Sequence, residues 1–366
     1  MDEKKDLILK EKRIEYLDFC RAIAIICVVL CHSVEYMYYG EGILWNKLTP
    51  FSRYFSTILY VIGRIGVPFF LFISGELLLS KNFEKEENIK KFYIKNFFAM
   101  LITTEIWMVI YTVFLDCEGI QKFNLEKLIK NMLFLADLPL MNIWYMPMIL
   151  GIYLVTPFIA QIVRKNRLKY LLIPLGIGIA INMLIPTINV FLDTYGIKPV
   201  LVSRFNVAFL GGFTAIYYIT GYFVRNGLLK KANTKLLILI TILSFIICCG
   251  IQINAFNNSF EYRVWYNLIF LYILTVSLFE IIRRIDFSKI NYKILERITN
   301  FSKKGLAVYF IHIIWIMFLG KYIIDFGMLR IIRCAILFVA TMVLSILFID
   351  ILSKVKFIKQ KLFYIK

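Results

Sequence analysis

The sequence predicts an all-α polytopic membrane protein with about ten transmembrane helices and both termini in the cytoplasm. Of its 366 residues, 60% are hydrophobic and 18% are charged, whereas soluble domains are about 45–50% apolar and about 25% charged. The mean hydropathy is +0.74, and apolar stretches long enough to cross a bilayer as helices recur along the whole chain. We predict spans at residues 16–39, 52–79, 96–115, 143–163, 168–192, 204–224, 234–253, 263–282, 305–324 and 328–352.

The distribution of basic residues supports this topology. With both termini inside, the predicted cytoplasmic segments and the span ends that adjoin them contain 30 of the 43 Lys and Arg residues, which favours an even number of spans under the positive-inside rule. The topology therefore accounts for the net charge of +19 without a nucleic-acid partner. A basic cytoplasmic surface would also attract a polyanionic small molecule. We divide the chain into a cytoplasmic segment at 1–15, a transmembrane domain at 16–352 and a basic cytoplasmic tail at 353–366.

The first span carries a stripe of ionisable side chains. Arg21 and His32 are eleven residues apart, which places them on one helix face about 16 Å apart along the axis. Such groups are costly in hydrocarbon and usually functional. Asp18 is one turn from Arg21 and can pair with it. Glu35 is one turn beyond His32 and can fix the imidazole so that its other nitrogen is a free base; the alternative is a histidine with only a structural role.

The second span contains a buried cation and a candidate break. Arg64 needs a partner within the membrane. Pro68 and the Ser74-Gly75 pair are expected to bend or open the helix and to let another backbone approach. Tight helix packing explains the same pair equally simply.

The third span begins with a lysine pair. Lys91 and Lys95 are one turn apart at the predicted cytoplasmic end of this span. They could bind phosphate together, or they could be ordinary positive-inside charges. Glu105 lies about ten residues farther in and needs a cationic or hydrogen-bonding partner. The following outer segment, 116–142, has apolar residues at helical spacing and is predicted to form an amphipathic helix on the membrane surface.

Two later spans also contain candidate site residues. Trp144 and Tyr145 lie where an outer aromatic belt is expected. Tyr309 and His312 are one turn apart in the ninth span, so that two histidines could share base and orienting roles, although a structural His312 is an equal alternative. The seven cysteines form no metal-ligand pattern, and we predict no metal site.

Taken together, these segments resemble acyltransferase family 3, a family of integral-membrane O-acyltransferases. The similarity is most specific at LDFCRAIAIICVVLCH in the first span and VPFFLFISGELLL in the second. WYMPMILGIYLVTP, FLGGFTAIYYITGYFV and LAVYFIHIIW are weaker matches that follow in the family's order. The chain also resembles the membrane domain of relatives that are fused to an amino-acid racemase and associated with moving serine across the membrane.

The resemblance implies a ten-helix core in which Arg21 and His32 are the functional pair. It also implies transfer of an acyl group, usually acetyl, from cytoplasmic acyl-CoA to a hydroxyl of an extracytoplasmic glycan or other envelope acceptor. Acyl-CoA would then be a co-substrate, with no cofactor bound permanently, and the location would be a bacterial inner membrane. Two positions depart from the family pattern: Lys91 and Lys95 replace an Arg-x-x-Arg pair, without its bidentate geometry, and Glu76 directly follows the Ser-Gly pair.

Two hypotheses follow for the function. In the first, the protein is an O-acyltransferase in which His32, poised by Glu35, removes the proton of the acceptor hydroxyl. The acyl group moves directly or through an acyl-enzyme on Ser74 or His32. The donor would bind at Asp18, Arg21, Lys91 and Lys95. In the second, the protein transports a small polar solute such as serine or a sugar precursor, with Arg21 binding its carboxylate or phosphate.

Overall fold

The computed structural model describes residues 15–40, 45–163, 168–197, 201, 212–324 and 327–365. These residues form helices and connecting segments without a strand among them, which confirms the predicted all-α class. Within this part of the chain, eight segments are long and apolar enough to cross a membrane. They are Glu15–Tyr38, Pro50–Leu78, Glu86–Cys117, Asn142–Ile162, Lys169–Thr194, Thr234–Asn257, Gly305–Ile323 and Arg330–Leu352.

The other two predicted spans correspond to shorter helices. The predicted span at 204–224 begins outside the described residues, and its described part forms a helix at Gly212–Arg225. The predicted span at 263–282 is helical only over Ile269–Arg283, about 22 Å at 1.5 Å per residue, which is shorter than a hydrocarbon core of about 30 Å. Val264, Tyr266 and Leu268 are buried, but no residue from 263 to 268 is helical, so the predicted helix start at 263 is wrong. The total of ten spans stays a prediction.

We number the helices in chain order. They are α1 Glu15–Tyr38, α2 Pro50–Gly63, α3 Gly66–Leu78, α4 Glu86–Phe92, α5 Ala99–Cys117, α6 Leu125–Met132, α7 Tyr145–Ile162, α8 Leu168–Ile179, α9 Ile185–Thr194, α10 Gly212–Arg225, α11 Thr234–Asn257, α12 Ile269–Arg283, α13 Tyr292–Lys303, α14 Gly305–Ile323 and α15 Arg330–Leu352. Helix α1 is central and packs against α2, α3 and α12 to α15. Its apolar residues occur on all sides, as expected for a helix enclosed by others.

The second predicted span is broken between α2 and α3. The chain turns at Arg64 and Ile65, and α3 restarts at Gly66. Pro68 therefore lies in the first turn of α3, where its missing N–H costs least. The break precedes the proline, and it places Arg64 at a helix junction inside the bundle, where the side chain is 4% exposed.

Helices α3 and α10 cross at unusually close range. A Cβ added to Gly75 would lie 1.6 Å from the carbonyl oxygen of Tyr218, and one added to Gly221 would lie 2.1 Å from that of Phe72. Both positions therefore require glycine. The close approach of another backbone expected at the Ser74-Gly75 pair is therefore present at Gly75.

Glu76, the departure from the family pattern, is buried and paired. Its carboxylate accepts a hydrogen bond from the Tyr16 hydroxyl, and Arg225 Nη1 lies 3.8 Å from Oε1. A buried carboxylate is tolerated when it has such partners. Glu76 therefore joins α1, α3 and α10 at the predicted cytoplasmic end.

The outer segment contains the predicted surface helix, α6. The side chain of Asn124 caps it by accepting a hydrogen bond of 2.8 Å from the backbone N–H of Lys127. Leu125 and Ile129 are exposed on one face, whereas Leu128 is buried against the bundle. Exposed leucine and isoleucine at this spacing suit a helix that lies on a membrane surface.

The predicted C-terminal tail packs against α5. It forms a π-helical turn at Ile358–Leu362, and the indole N–H of Trp107 donates to the carbonyl of Leu362 at 2.8 Å. Phe363 is fully buried. Phe363 therefore anchors the end of the tail to the bundle, whereas residues 354–357 are exposed.

Candidate functional site

Two polar clusters lie along the Arg21–His32 face of α1. In the first, which we call the histidine cluster, His32 Nδ1 lies 2.7 Å from Oε2 of Glu35. A carboxylate only accepts hydrogen bonds, so in the neutral ring Nδ1 carries the proton and Nε2 is an acceptor. The contact expected from the sequence is present, and it leaves His32 with a free basic nitrogen.

Arg64 holds the other oxygen of Glu35. Its Nη2 donates to Glu35 Oε1 at 3.0 Å, and the Tyr60 hydroxyl donates to the same oxygen at 3.3 Å. Nη1 of Arg64 donates to the Tyr266 hydroxyl at 3.1 Å. The guanidinium is enclosed by the rings of Tyr60, Trp265 and Tyr266, whose centroids lie 4.5, 4.6 and 5.1 Å from it. Arg64 therefore balances the charge of Glu35 and fixes its orientation toward His32.

His312 joins the histidine cluster from α14. Its ring centroid lies 5.3 Å from that of His32, and its Nδ1 donates to the carbonyl of Val308 at 3.1 Å. The side chain is fully buried, and Nε2 has no hydrogen-bond partner in the described part of the chain. The ring of Tyr309 lies 6.0 Å from that of His312, and its hydroxyl donates to the carbonyl of Asn142 at 2.5 Å.

Trp144 and Tyr145 pack inside the bundle beside this cluster. The ring of Trp144 lies 5.7 Å from those of Trp265 and Tyr266. Tyr145 is 7% exposed, with its ring 5.6 Å from that of Tyr309. Tyr145 therefore does not face the lipid, whereas the aromatic-belt interpretation of the half-buried Trp144 stays a prediction. An aromatic pair that opens an apolar run looks the same in sequence whether the helix begins at the membrane surface or within the protein.

The second cluster, which we call the arginine cluster, surrounds Arg21. Its Nη1 donates to Asp18 Oδ1 at 2.6 Å. Asp18 also accepts hydrogen bonds from the hydroxyls of Thr299 and Ser302 at 3.3 and 3.2 Å. The Arg21 side chain keeps 26% exposure, so the arginine cluster reaches the protein surface at this point.

Ser74 belongs to the arginine cluster. The Ser74 hydroxyl forms a hydrogen bond with the Tyr153 hydroxyl in α7. Tyr153 is also close enough to Arg21 for the positive charge of Arg21 to act on its hydroxyl. Tyr153 is a site residue that the sequence did not indicate, because one tyrosine in an apolar span carries no distinctive signal.

The α1 face between the two clusters is closed. Ala24, Ile25 and Val28 are each less than 5% exposed. Arg21 and His32 are therefore accessible at opposite ends of a packed face, and a ligand that reaches both must separate α1 from its neighbours there.

The polar residues of the third span lie away from the histidine cluster. Lys91 and Lys95 are exposed and line a groove on their own helical segment. Glu105 is half-buried, and the neighbouring Ile102 and Val109 on its face are exposed, so this face points out of the bundle. Its Oε2 has no hydrogen-bond partner among the described residues, and the partner expected for it is not found there.

The histidine cluster is suited to proton transfer. His32 Nε2 can accept a proton, and the Glu35 carboxylate can stabilise the resulting imidazolium. In the described part of the chain, no three His, Cys, Asp or Glu side chains are grouped so that they could hold a metal ion.

A family model described as Acyltransferase domain, that of acyltransferase family 3, matches residues 14–350. The match includes both clusters along α1 and the helix that carries His312. No curated protein and no solved structure matches the chain.

Proposed function

The chain belongs to acyltransferase family 3, and from this premise we propose which groups it transfers. The donor is cytoplasmic acyl-CoA, most simply acetyl-CoA, and the acceptor is a hydroxyl of an extracytoplasmic glycan or other envelope molecule. The proposed location is a bacterial inner membrane, consistent with the eight apolar helices. The observation that carries the proposal is the chain of contacts from Arg64 through Glu35 to His32, because it prepares a base within the membrane domain.

The proposed reaction is a direct transfer. The acceptor oxygen attacks the thioester carbonyl carbon while His32 Nε2 takes the hydroxyl proton, and Glu35 stabilises the imidazolium. Collapse of the tetrahedral intermediate breaks the carbon–sulfur bond, and the thiolate of coenzyme A takes the proton back from His32. Ser74 is hydrogen-bonded with Tyr153 in the arginine cluster. A nucleophile needs a base within hydrogen-bond reach, so the geometry favours His32 acting as a base over an acyl intermediate on Ser74.

The arginine cluster is the proposed donor end. Arg21 can bind phosphate through two parallel N–H groups, and Asp18 holds it in place. Lys91 and Lys95 are too exposed to form part of an enclosed site, and in this proposal they contribute long-range attraction for the polyanionic donor. Because the α1 face is packed between Arg21 and His32, donor binding must open it.

The acceptor is proposed to approach the histidine cluster from the side of Trp144 and Trp265. Both indoles are half-buried, so part of each ring remains available. Aromatic rings combine an apolar surface with a polar edge, which suits a sugar ring with its hydroxyl directed toward His32.

Purified full-length protein in detergent would test this function. We expect it to release coenzyme A from acetyl-CoA and to form an acetyl ester on a hydroxyl acceptor, tested with a panel of simple glycosides. The transporter hypothesis predicts no release of coenzyme A, together with uptake of labelled serine or a sugar phosphate into liposomes. That pair of results would overturn the proposal.

A further inference from the structure

Arg263 is a cation beside the histidine cluster that the proposed mechanism does not use. We propose that its guanidinium binds a negatively charged group of the acceptor, so that the acceptor is an anionic glycan with a carboxylate or a phosphate. This inference rests on the proposed acyl transfer and deepens it, because it assigns a charge to the acceptor. Arg263 selects the acceptor and takes no part in proton transfer.

The segment that holds Arg263 is anchored to the bundle at the predicted outer surface. It lies in the non-helical stretch between α11 and α12. The backbone N–H of Val264 donates to Oε1 of the fully buried Gln252 at 2.9 Å. The next two residues, Trp265 and Tyr266, enclose Arg64 in the histidine cluster. Arg263 therefore belongs to a fixed segment that forms part of the site, although its own side chain is exposed.

The guanidinium of Arg263 lies over the ring of Tyr39, with Cζ 5.6 Å from the ring centroid. Tyr39 extends the face of α1 that carries Glu35 and His32, because its backbone N–H donates to the carbonyl of Glu35 at 2.9 Å. It follows His32 by seven residues, which is about two turns and about 10 Å along the axis. Arg263 is also close enough to Glu35 for its positive charge to act on that carboxylate. The cation therefore lies on the predicted outer side of His32, at a separation that suits a charge next to the sugar ring that offers the hydroxyl.

The charges around the histidine cluster leave Arg263 in excess. Glu35 supplies one negative charge, and Arg64 is paired with it at 3.0 Å. Glu261 is exposed two residues before Arg263, but no ion pair or hydrogen bond joins Arg263 to it or to another described residue. An exposed cation at the entrance of a site attracts an anion. The parallel N–H groups of a guanidinium also match two oxygens of a carboxylate or a phosphate.

The aromatic entrance beside Arg263 suits the sugar that carries this charge. The rings of Trp144 and Trp265 are half-buried and lie 5.7 Å apart, so both present apolar surface with a polar edge. A sugar ring on these indoles can direct its hydroxyl toward His32 and its neighbouring anionic group toward Arg263. A neutral acceptor would use the rings but not the guanidinium.

The test compares three acceptors that share one galactose ring. Lactose is neutral, lactobionate carries a carboxylate and lactose 1-phosphate carries a phosphate, each charge lying on the second unit. Purified full-length protein in detergent receives acetyl-CoA and one acceptor, and formation of the acetyl ester gives kcat and KM. Arg263→Gln removes the charge, and Arg263→Lys keeps the charge without the planar fork. Lys122→Gln is the matched control, because Lys122 is an exposed cation of the outer segment before α6.

We expect the parent protein to have a KM at least about tenfold lower for one of the charged acceptors than for lactose, as for a hydrogen bond to a charged group. The acceptor with the lower KM shows whether the site takes a carboxylate or a phosphate. Arg263→Gln should lose this preference, Arg263→Lys should keep part of it, and the control should keep all of it. The preference should weaken as salt is added, because the guanidinium is exposed. The Tm in the same detergent should match that of the parent in each variant.

Three results would overturn the assignment. The first is an equal KM for lactose and the charged acceptors in the parent protein, or release of coenzyme A without acetylation of any of them. The second is an unchanged preference in Arg263→Gln. The third is a loss of kcat in Arg263→Gln that is the same for all three acceptors, since Arg263 would then act on Glu35 and not on the acceptor. If the parent protein releases no coenzyme A from acetyl-CoA, the proposed function fails instead, which is a distinguishable result.

Discussion

Glu35→Gln removes the charge of the carboxylate that orients His32, the proposed base, but keeps the shape of the side chain. The carboxylate accepts three hydrogen bonds, from His32 Nδ1, Arg64 Nη2 and the Tyr60 hydroxyl, at 2.7, 3.0 and 3.3 Å. Glutamine has one acceptor oxygen and an NH₂ group that only donates. If the oxygen faces Arg64, the NH₂ group faces His32 and moves the ring proton to Nε2. If the oxygen faces His32, the NH₂ group faces the guanidinium, and Arg64 loses its counter-charge.

Either orientation removes a working base. General-base catalysis contributes about 10²–10⁴ in rate, so we expect a loss of that order in release of coenzyme A from acetyl-CoA. Breaking a fully buried ion pair costs about 3–5 kcal/mol; the Glu35 side chain keeps 24% exposure, so the cost should be smaller, and Tm should fall by a correspondingly smaller amount. Rates are therefore compared below the unfolding range of the variant.

Glu118→Gln is the matched control. Glu118 forms an ion pair of 2.7 Å with Lys321 away from the histidine cluster, so the same chemical change should leave the rate unaltered. If folded Glu35→Gln protein releases coenzyme A at the parent rate, the tautomer of His32 is not set by Glu35 and the reasoning is refuted.

Three further predictions concern packing, donor binding and topology. Gly75→Ala should lower stability by at least about 1–3 kcal/mol, because the added Cβ would lie 1.6 Å from a carbonyl oxygen of α10. Gly151→Ala, with no atom within 4 Å of its Cβ, should keep or raise Tm. Arg21→Lys should weaken calorimetric binding of coenzyme A at least about tenfold, since lysine cannot form the bidentate pair; unchanged affinity would exclude Arg21 from the donor site. An impermeant maleimide should label the parent protein in intact cells at exposed Cys117. In a Cys117→Ser background, it should miss Ser288→Cys until the cells are permeabilised; the reverse pattern would invert the map.

The contacts within α1 were predictable from sequence. A single helix fixes which residues share a face, so the periodicity alone indicates that Asp18 can reach Arg21 and that Glu35 can reach His32. The apolar composition likewise predicts the all-α membrane class, because nothing but helical or closed-barrel structure satisfies the backbone in lipid.

The contacts between helices were not predictable in the same way. Arg64 reaches Glu35 because the second span breaks just before Pro68, at a point that the proline alone does not specify. The pairing of His312 with His32 and the position of Arg263 over Tyr39 depend on how α14 and the segment before α12 pack around α1. A single sequence carries no record of such packing, so these residues stand out only once the helices are assembled.

The most direct measurement is the amount of coenzyme A released and acyl ester formed from acetyl-CoA by the parent protein and by His32→Ala. The proposed function predicts one coenzyme A for each ester in the parent protein. It predicts a parallel fall in both products, by about 10²–10⁴, in folded His32→Ala. Ester formation by His32→Ala at the parent rate would contradict the assignment of His32 as the base.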